Sequence, residues 1–409
     1  MQVIGIVAEY NPFHTGHTYQ ISESRKILGF DAPVVIVMSG NWVQQASCAI
    51  ADKWLRAKMA LLGGTDRRLE LPTVWATASA EKFARGAVSL LHASAVVSHL
   101  SFGSEQGNIL PLQKIASCLD SPDYLDFLHH HISSGMSFAA CRQNAIQALL
   151  GPEYAVLLSH PNNNLGIEYL RSLNLLHSSI SPMTILRNSS SHNEILWTQE
   201  EDNFLHSRPQ FVSATQIRTD LYGGTWSRAE PYLIHGGQTL SDLSHGLPEM
   251  SQISRAILAK LRTMTAEDWA ALPDSGQSEG LPQRLERAGQ ACSNITDFYE
   301  RVKTKRYTYA RLRRLVLWAY LGMTKKDIPS SPPYLRVLGF NARGQYLLKE
   351  MKERAHLPIL TKPAHAKHLD PVGQHLFQLE ARCTDLYDLC FQQIPAPGRE
   401  WVTGPVVLK

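Results

Sequence analysis

Two short apolar runs near the N-terminus define the first part of the predicted fold. Residues 2–8 form one run, and residues 34–38 repeat the pattern. Continuous apolar runs of this length are typical of parallel strands that are buried on both faces. Residues 16–28 between them have helical composition, and residues 52–62 form an amphipathic pattern that predicts a second helix. The predicted order is therefore β-α-β-α.

Three further apolar runs extend this pattern, at residues 68–71, 95–102 and 183–186. A helix is predicted over residues 79–92, between the first two of these strands. Alternation of strands and helices favours an α/β fold, and we expect a Rossmann-like, doubly wound parallel sheet with helices on both faces.

The hydrophobic pattern changes after about residue 225, where apolar residues recur at helical spacing and strand-like alternation becomes scarce. Paired glycines at 223–224 and 236–237 bracket the predicted boundary. We expect an N-terminal domain over residues 1–236 and a mainly helical domain over 237–409. The helices predicted in the second domain cover residues 250–264, 281–303, 307–321, 342–354 and 373–390.

The 409 residues, 44% hydrophobic and 19% charged, indicate a folded globular protein. The longest apolar runs are far shorter than the roughly 18 residues that a membrane span needs, and no secretory leader is predicted. Six cysteines without a C-x-x-C spacing favour neither a disulfide framework nor a zinc site. We therefore expect a cytoplasmic protein.

Charge is distributed unevenly along the chain. The formal net charge is +4, but residues 301–369 contain 16 Lys and Arg against three acidic residues, a net charge of +13. The remainder of the chain is therefore acidic. A basic segment of this kind indicates a polyanionic partner.

The most informative motif is His14-Thr15-Gly16-His17, which follows the first predicted strand and begins the first predicted helix. Open parallel sheets bind ligands at this position, and the free N–H groups of a helical first turn attract phosphate. Histidines three residues apart share a helix face, where His14 and His17 would stabilise oxygens that gain charge when an α-phosphorus is attacked. Metal binding or core packing is the alternative. A zinc site is the weaker interpretation, because two histidines need a third ligand, and no metal ligand is assigned.

A second motif begins at Ser213, which is expected to cap a helix whose first turn presents Thr215 and Arg218. Arg218 would then hold a β- or γ-phosphate. Taken alone, the motif is more typical of an ordinary capped surface helix. Its combination with the histidine motif favours a nucleotide site.

Together these motifs resemble the nucleotidyltransferase superfamily that is defined by an H-x-G-H signature. Further strings resemble one family in it, the bacterial tRNA(Met) cytidine acetate ligases. The strings are GIVAEYNPFH at 5–14, MSGN at 38–41, ELP at 70–72, FGSE at 102–105, NNNLGIEY at 162–169 and LRVLGFN at 335–341. The resemblance runs from residue 2 to about residue 365.

The resemblance implies an enzyme that uses ATP to activate acetate as acetyl-adenylate, with Mg²⁺ as the expected metal ion. The acetyl group would then pass to N4 of the wobble cytidine of elongator tRNA(Met), giving N4-acetylcytidine. No obligate protein partner is implied. Carried over by motif, the ATP-binding residues would be Val7, Ala8, Glu9, Tyr10, Asn11, Pro12, Phe13, His14, Thr15, Gly16, His17, Gly103, Asn163 and Arg187.

Two strings depart from the family pattern. Gln44-Gln45-Ala46-Ser47 stands where the family usually has Gln-Arg-Gly. Asp66-Arg67-Arg68-Leu69 stands where the family usually has Asp-Leu-Val before Glu-Leu-Pro. The ATP motifs are intact. The departures affect expected local contacts to acetate or RNA.

The basic segment interleaves cations with Tyr307, Tyr309 and Trp318. Lys and Arg neutralise phosphates, and aromatic rings stack on unpaired bases, so we expect this segment to bind tRNA. For any single residue, a solvated helix face is the alternative. The expected tRNA-binding residues are Arg306, Arg311, Arg313, Arg314 and Arg336.

Two other functions compete with the ligase interpretation. A small-molecule adenylyltransferase for a cofactor precursor would need no basic segment, and a non-catalytic RNA-binding protein would not need the intact histidine motif.

Overall fold

The computed structural model describes residues 1–131, 138–187, 212–241, 243, 245–276 and 280–408. Its strands are β1 (Ile4–Ala8), β2 (Val34–Ser39), β3 (Trp42–Val43), β4 (Ser47–Cys48), β5 (Arg67–Leu71), β6 (His99–Ser104), β7 (Ser181–Leu186), β8 (Leu335–Phe340), β9 (Ile359–Leu360) and β10 (Val406–Val407).

Ten α-helices lie in the described residues of the N-terminal half. They are α1 (Thr15–Leu28), α2 (Lys53–Leu62), α3 (Thr73–Ala76), α4 (Ala80–Ala93), α5 (Ile109–Leu119), α6 (Pro122–His131), α7 (Phe138–Leu150), α8 (Pro152–Ala155), α9 (Pro161–Leu175) and α10 (Ala214–Tyr222).

The remaining helices follow α10. They are α11 (Trp226–Ala229), α12 (Gln238–Ser241), α13 (Ser254–Thr263), α14 (Ala266–Ala271), α15 (Leu281–Ala291), α16 (Ile295–Val302), α17 (Tyr309–Leu321), α18 (Ala342–Arg354), α19 (Pro371–Asp388) and α20 (Arg399–Val402). Among the residues that the structure describes, no helix has both the length and the apolarity that crossing a bilayer requires.

Five parallel strands form the centre of the main sheet in the order β5-β2-β1-β6-β7. The strand order reverses between β1 and β6, so the topological switch point lies at the carboxyl ends of these two strands. All six residues of β2 are buried, because helices cover both faces of the sheet. This arrangement confirms the predicted Rossmann-like α/β fold.

Strand β8 extends this sheet from the C-terminal half of the chain. It pairs antiparallel with β5, and β10 pairs with its other edge. The sheet therefore crosses the boundary predicted at 236/237, and the apolar core of helices α13 to α17 is continuous with the core on one face of the sheet. The division into domains 1–236 and 237–409 stays a prediction.

The single helix predicted over residues 281–303 is wrong, because the structure has two helices there, α15 and α16. Asn294 ends the continuous pattern, since its side-chain oxygen accepts a hydrogen bond from the backbone N–H of Asp297 at 2.9 Å. Asparagine competes in this way with the helical backbone and favours a helix N-terminus.

Candidate active site

The histidine motif occupies the switch point of the sheet. Strand β1 ends at Ala8, the chain turns through residues 9–13, and helix α1 begins at Thr15 with His14 as its N-cap. Tyr10 adopts a left-handed backbone conformation (φ 47°) within this turn. The turn places both histidines at the carboxyl end of the central strand, as the sequence predicts.

Hydrogen bonds within the first turn of α1 fix the orientation of both imidazoles. Nδ1 of His14 accepts from the backbone N–H of Gly16 at 3.1 Å, and Nδ1 of His17 accepts from the backbone N–H of His14 at 3.2 Å. In a neutral imidazole one nitrogen accepts and the other carries hydrogen, so the hydrogen of each ring lies on Nε2. The two ring centroids are 3.9 Å apart. The pair therefore presents two adjacent N–H donors.

Both imidazoles are neutral at physiological pH. Burial, followed by the positive charges of Arg187 and Arg218, lowers the pKa of His14 to about 4. Burial and the neighbouring His14 lower the pKa of His17 well below its usual range. Because each ring remains uncharged, it can donate a hydrogen bond but is a poor proton donor to a leaving group.

Aromatic packing holds His17 in place. The ring of Tyr10 meets the His17 ring edge-on at a centroid distance of 4.7 Å, and the ring of Phe13 lies 5.4 Å from it. Phe13 is fully buried against Gly63, where an added Cβ would lie 2.3 Å from its ring. These contacts restrict the motion of the imidazole and so preorganise the donor.

Arg218 reaches this turn from α10. Its guanidinium donates to the backbone carbonyl of Asn11 at 2.7 Å and to the hydroxyl of Thr215 at 3.2 Å. Helix α10 is capped by Ser213, whose hydroxyl accepts from the backbone N–H of Gln216 at 3.2 Å. The predicted Ser213, Thr215 and Arg218 group therefore lies beside the histidine motif.

Arg187 reaches the same region from the end of β7. Its side chain passes over Gly103 on β6, where an added Cβ would lie 2.8 Å from Cγ of Arg187. Gly103 is therefore required for close approach of the arginine. The structure thus gathers His14, His17, Gly103, Arg187 and Arg218 at adjacent strand ends.

The two asparagines at the start of α9 have different environments. Asn162 accepts from the guanidinium of Arg187 at 3.0 Å. Asn163 is fully buried, and its amide accepts from the backbone N–H of Gln106 at 3.1 Å and donates to Leu157 at 3.2 Å. Asn163 therefore supports the loop after β6, and its predicted direct contact with ATP stays a prediction.

Two charged residues that hold the site were missed by sequence reasoning. The buried Arg56 donates to the backbone carbonyls of Glu9, Ser39 and Gly40, and so joins the ends of β1 and β2. Glu105 accepts from the backbone N–H of Asn163 at 2.9 Å. A charged residue on the buried face of a predicted helix was the available signal for Arg56.

The two departures from the family pattern lie in different surroundings. In the hairpin β3–β4, the backbone N–H of Gln44 donates to the carboxylate of Glu9 at 2.7 Å, and Ala46 has a left-handed φ of 58°. On β5, Arg67 and Arg68 are completely buried. None of the three guanidinium nitrogens of Arg68 has a hydrogen-bond partner among the described residues.

The predicted tRNA-binding arginines divide by exposure. Arg306 and Arg313 are exposed. Arg311 and Arg314 are partly buried and both contact Asp274. Arg311 donates a hydrogen bond to its backbone carbonyl at 2.9 Å, and Arg314 forms an ion pair with its carboxylate at 3.4 Å. The latter two therefore also hold the loop after α14.

The prediction that Arg336 binds tRNA is wrong, because its side chain is only 2% exposed. It lies on the interior strand β8, where its guanidinium pairs with the buried Glu400 at 3.5 Å. The same ionic cluster contains Lys53, which contacts Glu400 at 2.5 Å and Glu70 at 2.6 Å. Two of the family-like strings, at 70–72 and 335–341, therefore meet in a structural cluster rather than at the surface.

Comparisons with known proteins cover nearly the whole chain. A family model described as HIGH Nucleotidyl Transferase matches residues 1–399. The chain is 34% identical to the tRNA(Met) cytidine acetate ligase of Acetivibrio thermocellus over 100% of both chains. It is 37% identical to that of Caldanaerobacter subterraneus subsp. tengcongensis over 96% of each.

Solved structures similar to this fold include Thermotoga maritima TmcAL bound with alpha-thio ATP. That structure shares 31% identity, covers 100% of both chains and superposes with a TM-score of 0.89. The apo form of the same protein gives a TM-score of 0.90 at 31% identity and 100% coverage of both chains.

Proposed function

The chain belongs to the family of tRNA(Met) cytidine acetate ligases, and from this membership we propose that it acetylates N4 of the wobble cytidine of elongator tRNA(Met). ATP first activates acetate as acetyl-adenylate, and the acetyl group then passes to the tRNA. The observation that carries the proposal is the pair of neutral imidazoles at the switch point, with His14 buried and His17 half-buried, next to the positive charges of Arg187 and Arg218.

In the activation step, a carboxylate oxygen of acetate attacks the α-phosphorus of ATP. A new P–O bond forms, the bond to the bridging oxygen breaks, and pyrophosphate leaves with the electron pair. The Nε2–H groups of His14 and His17 donate to phosphate oxygens as their charge increases. Arg218 and Arg187 attract the departing pyrophosphate.

In the transfer step, the N4 amine of the cytidine attacks the acetyl carbonyl. The C–N bond forms, the bond to the adenylate oxygen breaks, and AMP leaves while the amine loses one proton. No covalent enzyme intermediate is needed, because the mixed anhydride is already reactive. The remaining contribution of the protein is to position the amine against the carbonyl.

Mg²⁺ is proposed to enter with ATP. The described residues contain no group of three or more His, Cys, Asp and Glu side chains arranged for a metal ion. Mg²⁺ commonly binds through substrate phosphates and retained waters, with few protein ligands.

The six free cysteines fit a reducing compartment, and we place the reaction in the cytoplasm.

Acetate-dependent ATP–pyrophosphate exchange, followed by mass spectrometry of tRNA nucleosides, tests the proposal. We expect exchange with acetate and without tRNA, because the proposed ATP-binding residues lie before residue 219 and the basic segment lies after residue 300. N4-acetylcytidine should appear after tRNA(Met) is added. Exchange that is independent of a carboxylate would contradict the ligase proposal, and exchange that starts only with tRNA would contradict the independence of the two steps.

A further inference from the structure

A cavity of about 360 Å³ lies between the β3–β4 hairpin and the helical region, outside the histidine site. We call it the hairpin cavity. Gln45, Ala46 and Ser47 of the hairpin line one side, and side chains of α13, α16 and α17 line the other. Its volume falls within the range of about 300–1,000 Å³ typical of small-molecule sites.

The lining combines an apolar interior, an aromatic ring and one cation. Ile257, Val316 and Leu317 form part of the interior, and Tyr299 is partly buried beside them. Arg313 is exposed and is the one Lys or Arg among the described residues of the lining.

Burial raises the pKa of Tyr299 to about 12, and the nearby charge of Arg313 opposes that shift. The phenol is therefore a neutral hydrogen-bond donor at physiological pH, next to a guanidinium. A flat ring and an adjacent cation suit a nucleobase with its phosphate.

The surrounding charge favours RNA over a free metabolite. Helices α16 and α17, which both line the cavity, are joined by a linker that contains Lys303, Lys305 and Arg306. This linker lies in the segment 301–369, whose net charge is +13. An unpaired base in the cavity would therefore have cations available for its flanking phosphates.

The hairpin also connects the cavity to the ATP motif. Gln45 lines the cavity, and the preceding residue, Gln44, donates its backbone N–H to the carboxylate of Glu9 at 2.7 Å. At the other end of the hairpin, the backbone N–H of Cys48 donates to the sulfur of Met250 at 3.3 Å, and Met250 is also part of the lining. One wall of the cavity is thus bonded to the turn that precedes His14.

From these contacts we propose that the hairpin cavity binds an unpaired nucleotide of the tRNA substrate. The base packs against Tyr299, and a flanking phosphate contacts Arg313. The inference rests on the proposed function, because it takes tRNA as the substrate. It adds a base-binding site that links RNA docking to the ATP motif through the hairpin.

Three variants test the cavity in the full-length protein. Tyr299→Leu removes the aromatic face but keeps an apolar side chain, Ser254→Trp fills the cavity from α13, and Arg313→Gln removes the cation. Arg85→Gln is the matched control, because Arg85 is an exposed arginine on α4 outside the lining. For each protein, kcat/KM for acetylation of a tRNA(Met) transcript is divided by the rate of acetate-dependent exchange.

We expect Tyr299→Leu to lower this ratio by about 5- to 150-fold, the effect of losing one stacked base. Ser254→Trp should lower it at least as much, and Arg313→Gln should reduce the salt dependence of tRNA binding by roughly one phosphate contact. Arg85→Gln should leave the ratio unchanged. Normal ratios in both Tyr299→Leu and Ser254→Trp would overturn the proposal.

A binding experiment separates this proposal from the proposed function, because it needs no acetylation. Affinity is measured for transcripts that carry one abasic nucleotide at each position of the anticodon loop. Tyr299→Leu should bind the intact transcript more weakly than the wild-type protein does. The two proteins should bind with equal affinity to the one abasic transcript that lacks the base held in the cavity. If the loss persists at every position, the cavity does not hold a base from this loop and the inference fails. If the affinity loss disappears for one abasic transcript but the wild-type protein makes no N4-acetylcytidine, the proposed function fails and the base site stands.

Discussion

Replacing His14 by asparagine or alanine separates its two roles in the structure. The imidazole caps α1 through Nδ1, which accepts from the backbone N–H of Gly16 at 3.1 Å, and offers a hydrogen on Nε2. Asparagine is among the best N-cap residues, but its side chain ends short of the position of Nε2. Alanine has neither the acceptor nor the donor. The two variants therefore share the loss of the donor and differ in the cap.

The expected magnitudes differ for stability and for catalysis. Loss of the cap in His14→Ala should lower the free energy of unfolding by about 1 kcal/mol, whereas His14→Asn should keep most of it. Loss of one preorganised donor to a developing negative charge should slow adenylate formation by about 10²–10³-fold in both variants. We expect the parallel variant His17→Ala to slow it similarly.

Urea denaturation and acetate-dependent ATP–pyrophosphate exchange measure these two effects on the same protein. We expect the two variants to differ in the free energy of unfolding and to agree in the rate of exchange. Near-normal exchange by His14→Asn would refute the role of the Nε2–H donor. It would show instead that His14 matters as the cap of α1.

Three further predictions concern pH, backbone strain and buried charge. Because the pKa of His14 is lowered to about 4 and that of His17 also lies well below its usual range, exchange should show no imidazole titration between pH 5.5 and 8, and a midpoint near 6.5 would contradict this. As pH falls below 6.5, the unfolded chain binds protons that folded His14 does not, so His14 should reduce stability by about 2 kcal/mol at pH 5, a loss that denaturation of His14→Asn should lack. Ala46→Gly should raise the free energy of unfolding by up to about 1 kcal/mol. The left-handed backbone strains a residue with a Cβ by about 1–2 kcal/mol, and the greater entropy of glycine in the unfolded chain offsets part of the strain that the substitution relieves. A lower urea midpoint would contradict this prediction. Arg68→Leu should stabilise the fold by about 1–4 kcal/mol, because burial lowers the pKa of Arg68 to about 9 and its guanidinium nitrogens lack hydrogen-bond partners among the described residues; a loss of stability in the same denaturation assay would show that the charge is compensated.

Local sequence patterns were sufficient for the parallel part of the sheet. Strands β1 and β2 are continuous apolar runs, and α2 has an amphipathic period, so each element follows from its own residues. The position of His14-Thr15-Gly16-His17 after β1 located the candidate site, because ligand sites of doubly wound sheets lie at the carboxyl ends of strands. The order of elements therefore carried information about the site.

Strand β8 shows what local patterns cannot supply. Apolar and polar residues alternate in β8 no more clearly than in a buried helix segment. Its partner β5 lies more than 260 residues earlier in the chain. Pairing over that separation depends on the packing of every element between the two strands. The helix boundary at Asn294 was missed for a related reason, because a capping side chain can also occur in a continuous helix.

The chain by itself determined which residues are suited to phosphate and RNA, since imidazole, guanidinium and glycine chemistry belongs to the residue type. Tertiary structure decided which of them are available. Arg336 and Arg313 have the same side chain, but one pairs with buried Glu400 inside the sheet and the other is exposed at the hairpin cavity. The physical reason is that exposure and pKa depend on the groups brought near by folding, and those groups come from distant parts of the chain.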